Sequence, residues 1–257
     1  DTETPLTRSM NIFSEKLISK LQCSEKIAVL TGAGISAESG VPTFRGNDGL
    51  WKKFKPEELA NFDAFIRNPE LVWEWYHHRK QVMASVQPNP GHYALAEMEQ
   101  RHKLVSIITQ NIDNLHRRAG SSVIYELHGN IDRNYCIACG STITNEEILR
   151  QRLIPRCTSC HGLIRPDVVW FGEPLPADIW NASLEAAEHA EVFFSIGTSA
   201  IVYPAASLPI IAKKAGAYLV EINVENSELT PYADEVIIGM AGRILPQLLQ
   251  SYSSVVH

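Results

Sequence analysis

The chain has 257 residues, of which 45% are hydrophobic and 20% are charged, and its formal net charge at pH 7 is −6. That length is enough for one large α/β domain, or for a large domain that carries a small one. No dense run of Lys or Arg is present, which excludes a nucleic-acid binder because neutralising phosphates needs a basic surface. Basic protein tails remain compatible partners. No stretch approaches the roughly 20 apolar residues that cross a bilayer, and the first residues lack the apolar core of a signal peptide.

The first predicted element is a helix over residues 9–22, where apolar residues recur at helical spacing. Residues 26–30 are expected to form a buried strand that runs straight into a glycine turn. Five further buried strands are expected at 104–109, 123–127, 191–196, 217–222 and 235–238. Helical patterns separate most of them, at residues 91–101, 113–119, 176–188, 205–215 and 243–250. Strands that alternate with helices predict an α/β fold in which helices cover both faces of a parallel sheet.

Two segments interrupt this alternation. Residues 45–90 are helical and rich in aromatic side chains, whereas residues 133–165 contain paired cysteines and little apolar periodicity. We expect both segments to be insertions that together form a smaller helical and metal-binding lobe. The remaining segments, 1–44, 91–132 and 166–257, are expected to form one Rossmann-like nucleotide-binding domain.

The cysteines give the clearest single pattern in the chain. Four of the five form two C-x-x-C pairs, Cys136 with Cys139 and Cys157 with Cys160. Two thiolate pairs at this spacing fill all four positions of a tetrahedral zinc site, and a site without an open position is structural. Four free thiols or a redox pair are the alternatives. Reduced cysteines indicate the interior of a cell, and Cys23 is expected to pack as a small hydrophobic side chain.

A glycine loop follows the first strand. Residues 32–37, Gly-Ala-Gly-Ile-Ser-Ala, fit G-x-G-x-x-G/A, a spacing that lets the backbone approach a pyrophosphate at a helix N-terminus. A simple glycine turn is the alternative. The acid that dehydrogenases place on a ribose about 20 residues later is absent, because residues 51–53 are Trp-Lys-Lys. Glu225, just past the strand at 217–222, is the candidate for the adenosine ribose, and the turn-rich segment 40–46 is the candidate cover for a nicotinamide ribose.

Polar side chains follow two other predicted strands. Gln110, Asn111 and Asp113 come directly after the strand at 104–109, where amide and acid groups suit hydrogen bonding to a ribose or a carboxamide. Helix capping by Asn111 or Asp113 is the alternative, and both roles are compatible. His128 follows the next strand, and its near-neutral pKa suits a general base, with a structural histidine as the alternative.

Tyr76 and Arg79 lie on one face of a predicted helix, together with Val72 and Trp75. A guanidinium on an otherwise apolar face needs an anionic partner. That partner is either an internal carboxylate or a carboxylate on a substrate.

Taken together, these residues resemble the sirtuin family. The resemblance rests on the four paired cysteines and on segments in family order at 32–45, 109–113, 127–130, 169–173 and 197–199. One position departs from the common family pattern, because Thr43 stands where an Asp is usual, so no role of that carboxylate is carried over. The pair Tyr76 and Arg79 resembles the branch that removes succinyl, malonyl and glutaryl groups from lysine.

The resemblance implies an NAD-dependent protein-lysine deacylase with a cleft between the Rossmann-like domain and the zinc-bearing lobe. The acyl oxygen of the lysine substrate is implied to attack the nicotinamide ribose, so that NAD is consumed and nicotinamide and O-acyl-ADP-ribose are released. His128 is implied as the general base. A monomer in the mitochondrial matrix is expected, with the cytosol and nucleus as alternatives and with neither nucleic acid nor membrane as a partner.

The individual contacts are assigned on the same basis. Residues implied to bind NAD are Gly32, Ala33, Gly34, Ala37, Glu38, Phe44, Arg45, Gln110, Asn111, Asp113, Gly197, Thr198, Ser199, Asn223, Glu225 and Ala241. Residues implied to bind the acylated peptide are Tyr76, Arg79, Val169, Trp170, Phe171, Gly172 and Glu173, the last five as an edge that pairs with the substrate backbone. The rival functions are a redox dehydrogenase, a generic lysine deacetylase and a non-catalytic acyl-lysine-binding module.

Overall fold

The computed structural model of the chain describes residues 11–42, 53–151 and 153–252. Its strands are β1 (Lys26–Thr31), β2 (Leu104–Thr109), β3 (Ile124–Glu126), β4 (Gly129–Cys136), β5 (Thr142–Ile143), β6 (Ile164–Val168), β7 (Val192–Ile196), β8 (Tyr218–Asn223) and β9 (Glu235–Ile238). Its helices are α1 (Glu15–Cys23), α2 (Ala33–Ala37), α3 (Pro56–Leu59), α4 (Phe62–Arg67), α5 (Pro69–Ser85), α6 (Pro90–Met98), α7 (Leu115–Arg118), α8 (Asn145–Arg150), α9 (Ala177–His189), α10 (Leu208–Lys214) and α11 (Ala241–Gln250).

The larger sheet is entirely parallel, with strand order β3-β2-β1-β7-β8-β9. The chain builds outward from β1 to β3 and then returns to the other side of β1 with β7. Such a reversal leaves a crevice at the carboxyl ends of the two flanking strands, where α/β proteins bind ligands. Thr31 ends β1 beside Ile196, which ends β7. The segments after these two residues therefore face each other across the crevice.

Helices cover both faces of this sheet. On one face α1, α6 and α11 pack through fully buried side chains such as Leu21, Met98 and Leu248. On the other face α9 and α10 pack through Ala187 and Ala212. Removing these apolar side chains from water is the main stabilising contribution to such a core. The predicted parallel sheet with helices on both faces is confirmed.

A second apolar core lies beside the first. It combines α4 and α5 with the antiparallel sheet β5-β4-β6 and with α8. Phe65 and Trp73 from the helices pack with Ile148 and Ile164, and the Trp73 indole N–H donates to the Ile164 carbonyl oxygen at 2.8 Å. The two predicted insertions therefore share one core. The proposed boundaries at 132/133 and 165/166 fall inside β4 and β6, and the division into domains stays a prediction.

Several local expectations differ from the structure. The first helix begins at Glu15 because the Ser14 hydroxyl caps it, accepting the Leu17 N–H at 3.0 Å. The helix expected at 205–215 begins only at Leu208, because residues Ala205–Ser207 form a 3-10 turn. The expected packing of Cys23 is wrong, since this side chain is exposed at the end of α1. Among the described residues, the helices are too short or too polar to cross a membrane.

Candidate active site

Two glycine-containing turns meet at the crevice between β1 and β7. The Gly34 N–H donates to the Gly197 carbonyl oxygen at 2.8 Å, and Gly32 N–H donates to Ile196 at 3.0 Å. A Cβ atom on Gly34 would lie 2.5 Å from the Gly197 Cα, and Gly197 has a φ of +63°. Only glycine fits this approach. The two turns thus leave bare backbone at the place where the sequence predicts the pyrophosphate, with Ala33 and Ala37 exposed on α2.

The polar residues after β2 tie these turns together. The Gln110 amide donates to Thr198 Oγ1 at 3.3 Å, and the Asn111 amide donates to the Gly32 carbonyl at 2.9 Å. Asp113 is buried, and its carboxylate accepts the N–H of Leu115, the first residue of α7, at 3.0 Å. Burial raises the pKa of the Asp113 carboxyl. The structure brings the predicted nicotinamide-end residues into contact with the glycine turns. The N-cap of α7 is Asn114, so neither Asn111 nor Asp113 takes the alternative capping position, although Asp113 accepts an N–H of the first turn.

A pair of buried histidines lies behind the glycine loop. His116 Nε2 is 2.8 Å from Thr31 Oγ1, and His92 Nε2 is 3.3 Å from Ser36 Oγ. The two imidazole rings meet edge to face, with centroids 5.1 Å apart. Burial lowers the pKa of His92 to about 4 and that of His116 to about 3, so both rings are neutral near pH 7. Sequence reasoning missed His92, whose only local signal is its position at the start of α6.

His128 lies in the chain between the two cores, because Leu127 packs in the core of the large sheet and Ile131 in that of the small lobe. Its Nδ1 is 3.0 Å from the carbonyl oxygen of Gln110. Because a carbonyl only accepts, Nδ1 carries the proton, which leaves Nε2 as a proton acceptor. Burial lowers the pKa of His128, and the hydrogen bond to Gln110 offsets only part of that effect. The neutral ring with a free Nε2 lone pair is the form that a general base requires.

The segment 169–173 leaves β6 directly beside His128. The Val169 N–H donates to the His128 carbonyl at 2.9 Å, and the Phe171 N–H donates to the Ala60 carbonyl at 2.9 Å. Phe171 is 55% exposed, whereas Trp170 is 2% exposed. Gly172 has a φ of +82°, and a Cβ added to it would meet no atom within 4 Å, so this turn is open to solvent. The segment is a turn, and its backbone and the Phe171 ring are the parts that a peptide can reach.

The side chains of Trp170 and Glu173 point into the small lobe. Both oxygens of Glu173 accept from the Arg165 guanidinium at 2.7 Å, and one also accepts the Trp170 N–H at 2.8 Å. The Arg165 guanidinium carbon lies 3.6 Å from the centre of a Trp170 ring. Arg165, which sequence reasoning missed, therefore holds this turn in place through its contacts with Glu173 and Trp170. These two side chains support the segment, and the expected pairing of its backbone with the substrate backbone stays a prediction.

Tyr76 and Arg79 lie on one face of α5 in the small lobe. Tyr76 is buried, and its oxygen accepts the Trp170 indole N–H at 2.8 Å. The Arg79 guanidinium carbon is 4.6 Å from the centre of the Trp75 ring and 5.3 Å from that of Tyr76. Burial lowers the pKa of Arg79, and the interaction with Tyr76 partly offsets that effect. The predicted stripe is confirmed, with the planar guanidinium held against two aromatic rings.

The predicted adenosine-end residues follow β7 and β8. The Asn223 amide donates to the Thr198 carbonyl at 2.8 Å and joins the two segments. Ser199 and Glu225 are exposed at this edge of the sheet.

Glu38 and Ala241 meet at the start of α11. The Glu38 carboxylate accepts the Gly242 N–H at 2.8 Å, and Ala241 is buried at the first position of the helix. A carboxylate at a helix N-terminus is favourable, so Glu38 has a structural role here. Phe44, Arg45 and Thr43 lie outside the described residues.

The four paired cysteines converge at the end of the small lobe. Their Sγ atoms all lie within 4.8 Å of one another, with 3.5 Å between Cys136 and Cys160 and 3.7 Å between Cys139 and Cys157. Tetrahedral zinc with bonds of about 2.3 Å places its sulfur ligands about 3.8 Å apart, so the residues fit this metal. A Cβ atom on Gly162 would lie 2.8 Å from the Cys136 Sγ. The predicted structural zinc site is confirmed, and its four sulfurs leave no position for water.

The sequence matches known proteins along most of its length. The profile of the Sir2 family matches residues 32–204. NAD-dependent protein deacylase 2 of Pyrobaculum aerophilum is 54% identical over 230 residues, which are 90% of this chain and 92% of the relative. The NAD-dependent protein deacylase of Aquifex aeolicus is 53% identical over 208 residues, which are 81% of this chain and 87% of the relative.

Solved structures of Sir2 homologues also match this chain along most of its length. The crystal structure of a Sir2 homologue in complex with NAD has a TM-score of 0.86 and 45% identity, and the match covers 92% of this chain and 93% of the homologue. A mutant Sir2 homologue in complex with 2′-O-acetyl ADP-ribose has a TM-score of 0.85 and 45% identity, with 93% and 96% covered. The chain therefore belongs to the Sir2 family, the sirtuins.

Proposed function

We propose that this sirtuin removes acidic acyl groups (succinyl, malonyl and glutaryl) from protein lysines. As a Sir2 family member whose relatives are named NAD-dependent protein deacylases, the chain is itself an NAD-dependent protein deacylase. The acyl preference goes beyond those names and is the part that needs an experiment. An intracellular location, the mitochondrial matrix and a monomeric state stay predictions.

The observation that carries the proposal is the guanidinium of Arg79 stacked on Trp75 and held beside Tyr76. A guanidinium carries its N–H donors in a planar fork, a geometry that matches both oxygens of a carboxylate. An acetyl group ends in a methyl and gains nothing from that fork. Such a charged contact is worth about 1.5–3 kcal/mol, which is roughly tenfold to over a hundredfold in selectivity.

The proposed chemistry uses NAD as a substrate. The glycine turns hold the pyrophosphate, while Gln110, Asn111 and Asp113 hold the nicotinamide end. The C1′–nicotinamide bond breaks as the acyl oxygen of the lysine amide bonds to C1′, which requires close positioning because an amide oxygen is a weak nucleophile. His128 accepts a proton at Nε2 from a ribose hydroxyl, whose oxygen then attacks the acyl carbon. With one water consumed, the products are lysine, nicotinamide and O-acyl-ADP-ribose.

The other predicted residues bind or support. Phe44 and Arg45 are proposed to close over the nicotinamide end and exclude water. Ser199, Asn223 and Glu225 are proposed to hold the adenosine half. The four cysteines hold a zinc whose complete sulfur set gives it a structural role, because no ligand position is left for the reaction.

The test compares succinyl-lysine and acetyl-lysine versions of one peptide at equal NAD, with free nicotinamide as the readout. We expect a higher kcat/KM for the succinyl peptide, and we expect Arg79→Met to reduce that preference. Lys55→Met, an exposed cation in the same helical insertion, is the matched control. Unchanged desuccinylation by Arg79→Met contradicts the proposed acyl preference.

Generic deacetylation is the second candidate, because a homologue 45% identical was solved with 2′-O-acetyl ADP-ribose. An equal or higher kcat/KM for the acetyl peptide supports it. If the chain were a redox dehydrogenase, the assay would form reduced nicotinamide cofactor. If it were a non-catalytic binding module, no nicotinamide would be released.

A further inference from the structure

Glu221 is a carboxylate in the middle of the large sheet. It lies on β8 between Ser195 of β7 and Val236 of β9, and its solvent exposure is 0%. A carboxylate taken out of water is costly unless it accepts hydrogen bonds from the protein. A buried parallel strand ordinarily has apolar residues at such a position, so Glu221 needs a specific reason.

Two hydroxyls satisfy the Glu221 carboxylate. Ser227 Oγ donates to one of its oxygens and Thr230 Oγ1 donates to the other. Each hydroxyl also accepts a backbone N–H, from Leu229 to Ser227 Oγ at 3.1 Å and from Ser227 to Thr230 Oγ1 at 2.8 Å. A hydroxyl has a single proton, so the order of donation runs from backbone to hydroxyl to carboxylate. Both bonds to Glu221 therefore require a side chain that accepts at two oxygens.

These bonds fix the shape of the segment after β8. Its near end is held by Asn223, which binds the Thr198 carbonyl through its amide and the Val224 N–H through its oxygen, at 2.8 and 3.0 Å. Its far end is held by Leu229, which is buried. Between them Glu225 is exposed at the carboxyl edge of the sheet, beside the turn after β7.

We infer that Glu221 is a positioning residue for the adenosine half of NAD, acting through Ser227 and Thr230 on the segment that carries Glu225. This inference rests on the proposed binding of NAD at the carboxyl edge of the sheet. Glu221 is too deep to touch the ligand itself. It holds the segment in one conformation before the ligand arrives, so that binding does not pay the entropy of ordering it.

The test measures binding of ADP-ribose to the whole chain by calorimetry. Glu221→Gln keeps the shape of the side chain but replaces one acceptor oxygen with a donating amide, so one hydroxyl loses its acceptor. We expect the Kd for ADP-ribose to rise about tenfold, the size expected for a lost hydrogen bond to a charged group. In turnover, the KM for NAD is expected to rise more than the KM for the peptide. Amide hydrogen exchange over residues 224–229 is expected to accelerate.

A second variant keeps the test valid if Glu221→Gln does not fold. The pair Ser227→Ala with Thr230→Val removes both donors near the surface, and we expect it to weaken ADP-ribose binding by a similar factor. Glu191→Gln is the matched control, because Glu191 accepts two backbone N–H groups at the opposite end of the same sheet. We expect this control to leave the Kd unchanged.

The outcomes separate this inference from the proposed function. If the parent chain binds ADP-ribose and all variants bind it within twofold of the parent, Glu221 has only a structural role and the inference is wrong. If the parent chain does not bind ADP-ribose, the proposed NAD site and this inference both fail. A loss in Glu191→Gln equal to that in Glu221→Gln also overturns it, because the effect is then one of general stability.

Discussion

The indole N–H of Trp170 donates a hydrogen bond of 2.8 Å to the phenol oxygen of Tyr76. Trp170 belongs to the turn beside His128, and Tyr76 lies on α5, so this bond joins the two parts of the small lobe that are proposed to hold the substrate. An indole N–H only donates, and the Tyr76 oxygen therefore acts as the acceptor. The hydroxyl can still donate its own proton, and we propose that it does so to a carboxylate on the acyl group.

Replacing Trp170 with Phe tests this relationship. The variant keeps an aromatic ring against Arg165 but removes the N–H, so the Tyr76 hydroxyl loses the partner that orients it. We expect the ratio of kcat/KM for succinyl-lysine over acetyl-lysine peptides to fall about threefold to tenfold, the size of one net hydrogen bond. Damage to the turn in general lowers both rates together and leaves the ratio unchanged, which is the contradicting result.

The ionisation of His128 predicts the acid side of the pH profile. Its neutral form is the proposed base, and burial lowers its pKa below the ordinary value of 6.5. The active form therefore persists as the pH falls through 6.5 and is lost only at more acid pH. We expect kcat/KM for the acyl peptide to fall with a midpoint below 6.5. A midpoint above that value contradicts this ionisation.

A variant of the same residue separates chemistry from folding. We expect His128→Tyr to abolish nicotinamide release while zinc content and the melting temperature remain close to those of the parent, because His128 lies outside the cysteine cluster. Retained turnover removes His128 from the mechanism.

The buried histidine pair predicts how stability depends on pH. The folded-state pKa of His92 is about 4 and that of His116 about 3, both below the ordinary 6.5 of the unfolded chain. Between pH 6.5 and the folded-state pKa of each ring, the unfolded chain binds more protons than the folded one. The free energy of unfolding is therefore highest above about pH 6.5 and falls as the pH is lowered toward 4, by up to about 1.4 kcal/mol per pH unit for each ring.

Urea unfolding at about pH 7 and about pH 5 measures this dependence. We expect His116→Gln to be less stable overall yet to lose less stability between the two pH values. His189→Gln, an exposed histidine on α9, is the control and should keep the parent's slope. An equal slope in His116→Gln and the parent contradicts the assignment.

The sequence predicts the inner strands of the large sheet well because they are buried on both faces. The strand at 104–109 has the expected bounds, since such a strand is a nearly continuous apolar run. The edge strand at 235–238 also has the expected bounds, although most of its residues are not fully buried. The cysteine spacing likewise predicts the metal site, because the ligands of each pair are close in the chain.

Other parts of the site depend on contacts between distant segments. No local pattern shows that Trp170 points inward, because Arg165 and Glu173 set that direction. Nor does the position of His92 at the start of α6 indicate its contact with Ser36, which lies on another element. Periodicity reports which positions are buried, whereas polar pairing across the fold decides where buried polar groups point.

The zinc site depends on the absence of a side chain at position 162. A Cβ there would lie 2.8 Å from the Cys136 Sγ and 3.2 Å from the Cys160 Sγ, both closer than a carbon and a sulfur normally approach. Gly162→Ala therefore has to displace a ligand or the backbone. Since a structural zinc contributes directly to folding, we expect this variant to lose zinc to a chelator at a lower concentration and to melt at a lower temperature. Thr158→Ala, an exposed position between Cys157 and Cys160, is the control and should retain zinc as the parent does. Equal zinc retention by Gly162→Ala and the control means that the loop relaxes around the added methyl and that the close approach at Gly162 is dispensable.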